Sequence, residues 1–133
     1  MSYQLVREAL ETRLKTYADA EGVTVAWENI PSEWGEVFLR PWLLVNEPAQ
    51  ASIGVNGEDM LRGIFQVSVY SRPDAGLGDI YTRVDGLVAQ FDRGVQLTAG
   101  GQTVTCERAW PSQAFRSGDA YVVPVSVSWF AYR

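Results

Sequence analysis

The side chains that could do chemistry in this chain are few, and most of them lack the partner that the chemistry needs. The sequence holds no histidine and a single cysteine, Cys106. Without imidazole there is no Ser/His/Asp triad, no Cys/His dyad, no histidine zinc ligand and no histidine pH switch. One cysteine forms neither an internal disulfide nor a Cys-rich metal site. Cys106 lies in a strand pattern with nothing to activate its thiol, so it reads as a small buried residue. Carboxylates gather at Glu33 and Glu36 and again at Glu58 and Asp59, pairs of the kind used in glycoside hydrolysis or cation binding. Both pairs fall in predicted loops, and Asn56-Gly-Glu-Asp59 lacks the ligand spacing of a calcium loop. They read as solvated loop charge, and no metal or cofactor is expected. Gly76-x-Gly78 follows a strand pattern and opens a helical one, the context of a dinucleotide fingerprint. Tyr81 stands where the third glycine belongs, and its ring would prop the helix away from strand and phosphate. A glycine turn into a helix is the simpler reading.

Charge and composition narrow the partners. Eleven basic against sixteen acidic side chains give a formal net charge of -5, so phosphate neutralisation cannot drive a large nucleic-acid footprint. Basic charge is nearly all arginine, with Lys15 the one lysine, and arginine suits bidentate interface pairs; codon bias explains the same count. Arg40, Arg62, Arg108 and Arg116 are spread through strand and turn positions, which disfavours a DNA-binding module. An acidic protein does suit a lumen through which DNA slides without sticking. The five Trp and six Tyr are expected mostly in the core, with any exposed ones anchoring partners. The apolar run from Tyr121 to Tyr132 is too short for a membrane helix. The N-terminus has no basic region followed by an apolar one, so a protein made and kept in a cytoplasm, or packaged there, is expected, with no membrane partner.

The elements that must position these residues are legible in the periodicity. With 133 residues and 14.8 kDa, the chain is expected to form one domain over residues 1–133. From Tyr3 to Ala20, Val6, Leu10, Leu14 and Tyr17, flanked by Ala9 and Ala18, recur at three- and four-residue steps and predict a helix docked on a sheet. Ser2 is a candidate cap and Gly22 a candidate stop, and Glu11 and Lys15 are spaced as an exposed pair. Val23 to Trp27 reads as a short strand. Phe38 to Val45 reads as a second strand, at an edge or bulge because of Pro41. Leu61 to Tyr70 is a third strand, with Phe65, Val67 and Val69 on its core face and the other face wetter. After the turn at Arg72 to Asp79, Ile80, Val84, Leu87, Val88 and Phe91 mark a second helix that Gly94 should end. Gln96 to Thr105 reads as two strands around a Gly100-Gly101 turn, and Cys106 to Trp110 extends the second of them. Arg116 to Asp119 is a further turn. In the strand Tyr121 to Trp129, Tyr121, Val123, Val125, Val127 and Trp129 share one face. The order αβββαβββ predicts an α+β fold, a mostly antiparallel β-sheet backed by two α-helices.

The stretch from Pro48 to Met60 is the part a monomer explains least. It puts Ile53 and Val55 into a glycine-containing loop about a dozen residues long, a length at which loops are usually functional. Gln50, Ala51, Ser52, Ile53, Gly54, Val55, Asn56 and Gly57 are therefore read as a protruding β-hairpin arm that packs on another subunit, against the plainer reading of a long hairpin tip.

The N-terminal helix ending in Ala-Glu-Gly-Val, the run Gln50-Ala-Ser-Ile-Gly-Val-Asn-Gly57, the strand Gly63-Ile-Phe-Gln-Val-Ser-Val69, the run Phe91-Asp-Arg-Gly-Val-Gln-Leu97 and the closing Tyr121-Val-Val-Pro-Val-Ser-Val127 occur in an order that resembles the tail-terminator-like proteins of long-tailed bacteriophages. The resemblance spans nearly the whole chain. It implies a virion protein, assembled in the bacterial host cytoplasm, that forms a homo-oligomeric ring, a hexamer in that family. Such a ring caps the head-proximal end of the tail tube, ends tube polymerisation and joins the tail to the head connector or stopper. Phage DNA is implied only as cargo passing the lumen. The family brings no catalytic residues to carry over. Two other classes stay open at this point: a different head-tail joining protein such as a stopper or adaptor, and a small enzyme using Glu33, Glu36, Glu58 and Asp59.

Overall fold

A computed structural model describes residues 2–27, 37–46, 49–50, 59–71, 77–117 and 120–132. In chain order the elements are α1 (Ser2–Glu21), β1 (Thr24–Val25), β2 (Val37–Val45), β3 (Ala49–Gln50), β4 (Asp59–Ser71), α2 (Leu77–Gln90), β5 (Gln96–Ala99), β6 (Gln102–Pro111), β7 (Phe115–Ser117) and β8 (Ala120–Tyr132). This is the α+β order expected, with β3 and β7 as short additions. The strands form one sheet in the order β1-β2-β4-β8-β6-β5, with β3 on β4 and β7 on β8. All neighbours are antiparallel except β1 and β2.

The α1 stripe is the reason the sheet has its shape. Val6, Leu10 and Leu14 are fully buried, and Ala9, Tyr17 and Ala18 nearly so. The helix touches β1 at one end of the strand order and both β5 and β6 towards the other. A sheet that meets one helix with both ends must curl around it, and strand twist supplies that curvature. Chain reversal after α1 falls at Gly22, where φ is 68° and the Val23 amide donates back to the Ala18 carbonyl at 2.9 Å, a Schellman-type stop. On the exposed side, Glu11 pairs with Arg7 at 3.0 Å and Lys15 with Asp19 at 3.0 Å. The expected Glu11–Lys15 contact is replaced by these two, each also at four-residue spacing.

Helix α2 packs on β4, β8 and β6, burying Ile80, Val84, Leu87 and Phe91; Val88 is only half-buried. The helix ends at Gln90, ahead of Gly94. Gly94, at φ 86°, serves the turn into β5 instead, where its amide donates to the Cys106 carbonyl at 2.8 Å. The two helices are joined by polar contacts: Arg83 Nη1 donates to the Tyr17 hydroxyl at 3.1 Å, and Arg13 Nε donates to the Gln90 carbonyl at 3.2 Å. Gly100 and Gly101 both have positive φ, 53° and 83°, the backbone that a two-residue primed hairpin turn requires.

The centre of the sheet is the β4–β8 pair, in register from Met60↔Tyr132 to Ser71↔Tyr121. One face carries Leu61, Phe65, Val67 and Val69 of β4 beside Val123, Val125, Val127, Trp129 and Ala131 of β8, all buried. Gly63 lies opposite Trp129, and a Cβ added there would run into the Leu44 carbonyl oxygen and come within 2.9 Å of Trp129 Cζ2. A backbone atom cannot retreat without disturbing the β2–β4 ladder. Gly63→Ala is therefore expected to destabilise the fold by about 1–3 kcal/mol, the usual range for overpacking, read as a lower midpoint in urea unfolding with an unchanged m-value.

Candidate assembly surface

Strand registers decide which side chains share the face that the helices leave uncovered. Residues directly opposite in paired strands project to the same side. Through Arg40↔Ser68↔Pro124, Leu44↔Ile64↔Ser128↔Arg108 and Arg62↔Phe130↔Thr105, the outer face gathers Arg40, Arg62 and Arg108, arginines far apart in sequence. The same face carries Phe38 stacked on Tyr70 at a centroid distance of 4.6 Å, with the Arg40 guanidinium 5.7 Å from the Trp42 ring centroid and 5.9 Å from that of Tyr70. Phe130 and Tyr132 meet edge-on at 5.8 Å. Leu44, Trp110, Phe115 and Tyr132 are exposed large apolar residues, Leu44 and Tyr132 to about half of their surface. A face expected to be the wetter one is instead aromatic and arginine-bearing, a composition enriched at protein interfaces.

At the β6 side of this face a groove of about 550 Å³ runs beneath the Arg93–Gly94 turn, over Arg108 and Trp110 of β6 and Ser128 and Phe130 of β8. Its shape comes from a register shift between Cys106 and Arg108, a bulge that turns the consecutive residues Glu107 and Arg108 both outwards. Ser128 Oγ donates to Glu107 Oε1 at 3.3 Å across the groove wall.

Beyond these residues β6 continues to Pro111, whereas β5 pairs only with Gln102 to Thr105. Among the described strands, only β8 pairs with that outer stretch of β6 and only β4 pairs with β2 beyond Leu39, so each has one side without a strand neighbour. Pro41 thus occupies an edge, as its missing amide requires.

The residues singled out in the sequence are placed as follows. Gln50 is in β3, paired with Asp59 of β4, and Ala49 pairs with Met60, so the two ends of the arm segment run side by side as hairpin roots. Ala51, Ser52, Ile53, Gly54, Val55, Asn56 and Gly57 lie outside the described residues, as do Glu33, Glu36, Glu58 and Gly76. Asp59 is half-buried in β4. Gly78 lies inside α2, and Tyr81 points to solvent, where it props nothing apart. Cys106 is buried in the core among α1, β6 and β8 neighbours. Burial pushes its thiol up from an ordinary 9.0 to about 11, partly offset by the nearby Arg13 charge. The groove itself was missed in the sequence; the run Cys106-Glu-Arg108, two charges breaking an alternating strand, is the signal that could have found it.

The comparisons with known proteins agree with this architecture. The family model for phage tail terminator protein matches residues 5–129. No curated protein matches the chain. One solved structure, whose title names no function, superposes at TM-score 0.81 with 25% identity, covering 98% of this chain and 96% of its own. A chain from a structure titled as the virion of a native gene transfer agent particle superposes at TM-score 0.66 with 12% identity over 99% and 98% of the two chains, a likeness of fold.

The raised Cys106 pKa has a direction in stability. The native state prefers the neutral thiol, so this contribution is complete below pH 9 and is lost as pH climbs to about 11. The expected result is a urea midpoint that falls over that window less steeply in Cys106→Ala than in the parent protein, and thiol labelling at pH 8 that proceeds only after unfolding. With a family match covering residues 5–129 on a curled, helix-backed sheet, the chain belongs to the phage tail terminator family.

Proposed function

We propose that the protein is a structural component of a phage tail that acts as a ring, of six copies as the family resemblance implies, at the head-proximal end of the tail tube. The observation that carries this reading is the sheet face that the helices do not cover, where Leu44, Trp110, Phe115 and Tyr132 stay exposed beside Arg40, Arg62 and Arg108. Aromatic and arginine side chains concentrated on one face supply the anchors that subunit contacts use. A ring grows through heterologous contacts whose rotation closes, and an arm on one side with a receiving surface on another is a way to build them.

Termination follows from unlike ring faces. One face matches the last ring of tube protein, and the other gives a further tube subunit no partner while matching the head connector or stopper. None of these steps makes or breaks a bond. Phage DNA passes the lumen as cargo. The place of action is the virion tail, after assembly in the bacterial cytoplasm.

Light scattering over a concentration series, with and without purified tail tubes, tests this reading. The expected mass is that of a closed ring, with electron microscopy placing it at one tube end. A protein that stays monomeric under both conditions, or that leaves tube length unregulated, overturns it. Deleting residues 51–58 is expected to leave a folded monomer that forms no ring, since α1, α2 and the β4–β8 pair do not depend on that segment. Unchanged ring assembly by the deleted protein would remove the arm from the mechanism.

A further inference from the structure

We propose that the groove between the Arg93–Gly94 turn and the outer face of β6 and β8 receives residues 51–58 of a second copy of this chain. The proposal rests on the ring reading above and assigns the receiving half of its contact. Four features of the molecule support this occupant.

The groove is large enough for a short peptide segment, about 550 Å³, within the size range of built ligand clefts. Its lining is mixed: Trp110 and Phe130 offer apolar surface, and Arg93 and Arg108 offer cationic donors. The segment has the complementary composition. Residues 51–58 carry one carboxylate, Glu58, followed directly by Asp59 of β4, with no lysine or arginine, and place Ile53 and Val55 at their middle. Arginine pairs well with carboxylates at interfaces, and a β-branched pair suits an aromatic floor.

The β3–β4 pairing holds both ends of the segment together at one end of the sheet, whereas the groove lies on β6 and β8, so donor and acceptor are different patches. A contact between different patches is heterologous and propagates from copy to copy until it closes. At Cys106 the outer edge of β6 is bonded to the Gly94–Val95 segment, and beyond it no described strand pairs with that edge, so the edge from Glu107 to Pro111 is placed to accept an incoming strand. The bulge at Cys106 and Arg108 tilts both charges of Glu107 and Arg108 into reach of such a strand. Duplex phosphate is the competing occupant for the arginines, but Glu107 in the same wall repels it and the aromatic floor offers it nothing.

Engineered disulfides test the assignment directly. In a Cys106→Ala background, Asn56→Cys in the segment and Ser128→Cys in the groove are combined in one chain and mildly oxidised with diamide. The expected product on a denaturing gel is a ladder of covalent multimers, reduced at least tenfold by Arg93→Glu with Arg108→Glu. Mixing the two single-cysteine proteins should give a linked dimer and nothing larger. A link formed only within one chain assigns the groove to the chain's own segment and overturns the proposal. Absence of any link in a protein that light scattering shows to be a ring overturns the groove while leaving the ring standing; absence of both overturns both. A ladder abolished by duplex DNA would assign the groove to phosphate instead.

Discussion

The burial of one helical stripe between the two ends of a single sheet is the constraint on which this architecture depends. Val6, Leu10 and Leu14 have no exposed surface, and α1 reaches it by touching β1 at one side of the strand order and β5 at the other. A flat sheet could cover that stripe only partly. Curling the sheet closes the core on its concave side with two helices and leaves the convex side without a helix among the described residues. The sidedness of the described structure, both helices on one face of the sheet, is therefore a consequence of how α1 is buried.

Register converts that sidedness into chemistry. In the β4–β8 pair, side chains alternate between core and outer face, so a slip of one residue would exchange Phe65, Val67 and Val69 for Ile64, Gln66 and Ser68. The close approach of Trp129 and the Leu44 carbonyl to Gly63 opposes such a slip, because only a glycine fits at that point. The same register that packs the valines inward aligns Arg62, Phe130, Leu44 and Ile64 outward. Core packing and the outward surface are two readings of one alignment, and a substitution that shifts the register alters both.

The groove on β6 shows how a local irregularity produces a recognition surface. A regular strand would send either Glu107 or Arg108 inward, where an unpaired charge is costly. The bulge releases both to the outside and lets Cys106 keep its place in the core. With the turn at Gly94 bonded back to the Cys106 carbonyl at 2.8 Å, the wall of the groove is tied to the same residue. A small, neutral and buried Cys106 thus holds the site from beneath, which is a structural role and needs no reactivity from its thiol.

Much of the fold was legible in the sequence because it is written in local periodicity. The stripe Val6, Leu10, Leu14 and Tyr17, the alternation Phe65, Val67 and Val69, the run Val123 to Trp129 and the Gly100-Gly101 turn each depend on residues close together in the chain, and the structure places them as read. The absence of histidine and the isolation of Cys106 likewise constrained the chemistry from composition alone. The exposed face and the groove were not legible, because they join Arg40, Arg62, Arg93, Arg108, Trp110 and Phe130 from five separate segments. Which of these residues stand side by side is set by strand order and register, and those come from long-range pairing that no local period encodes. The sequence determined which elements form and which of their faces is apolar; the tertiary structure decided what the opposite faces assemble together, since only the folded sheet brings distant strands within contact.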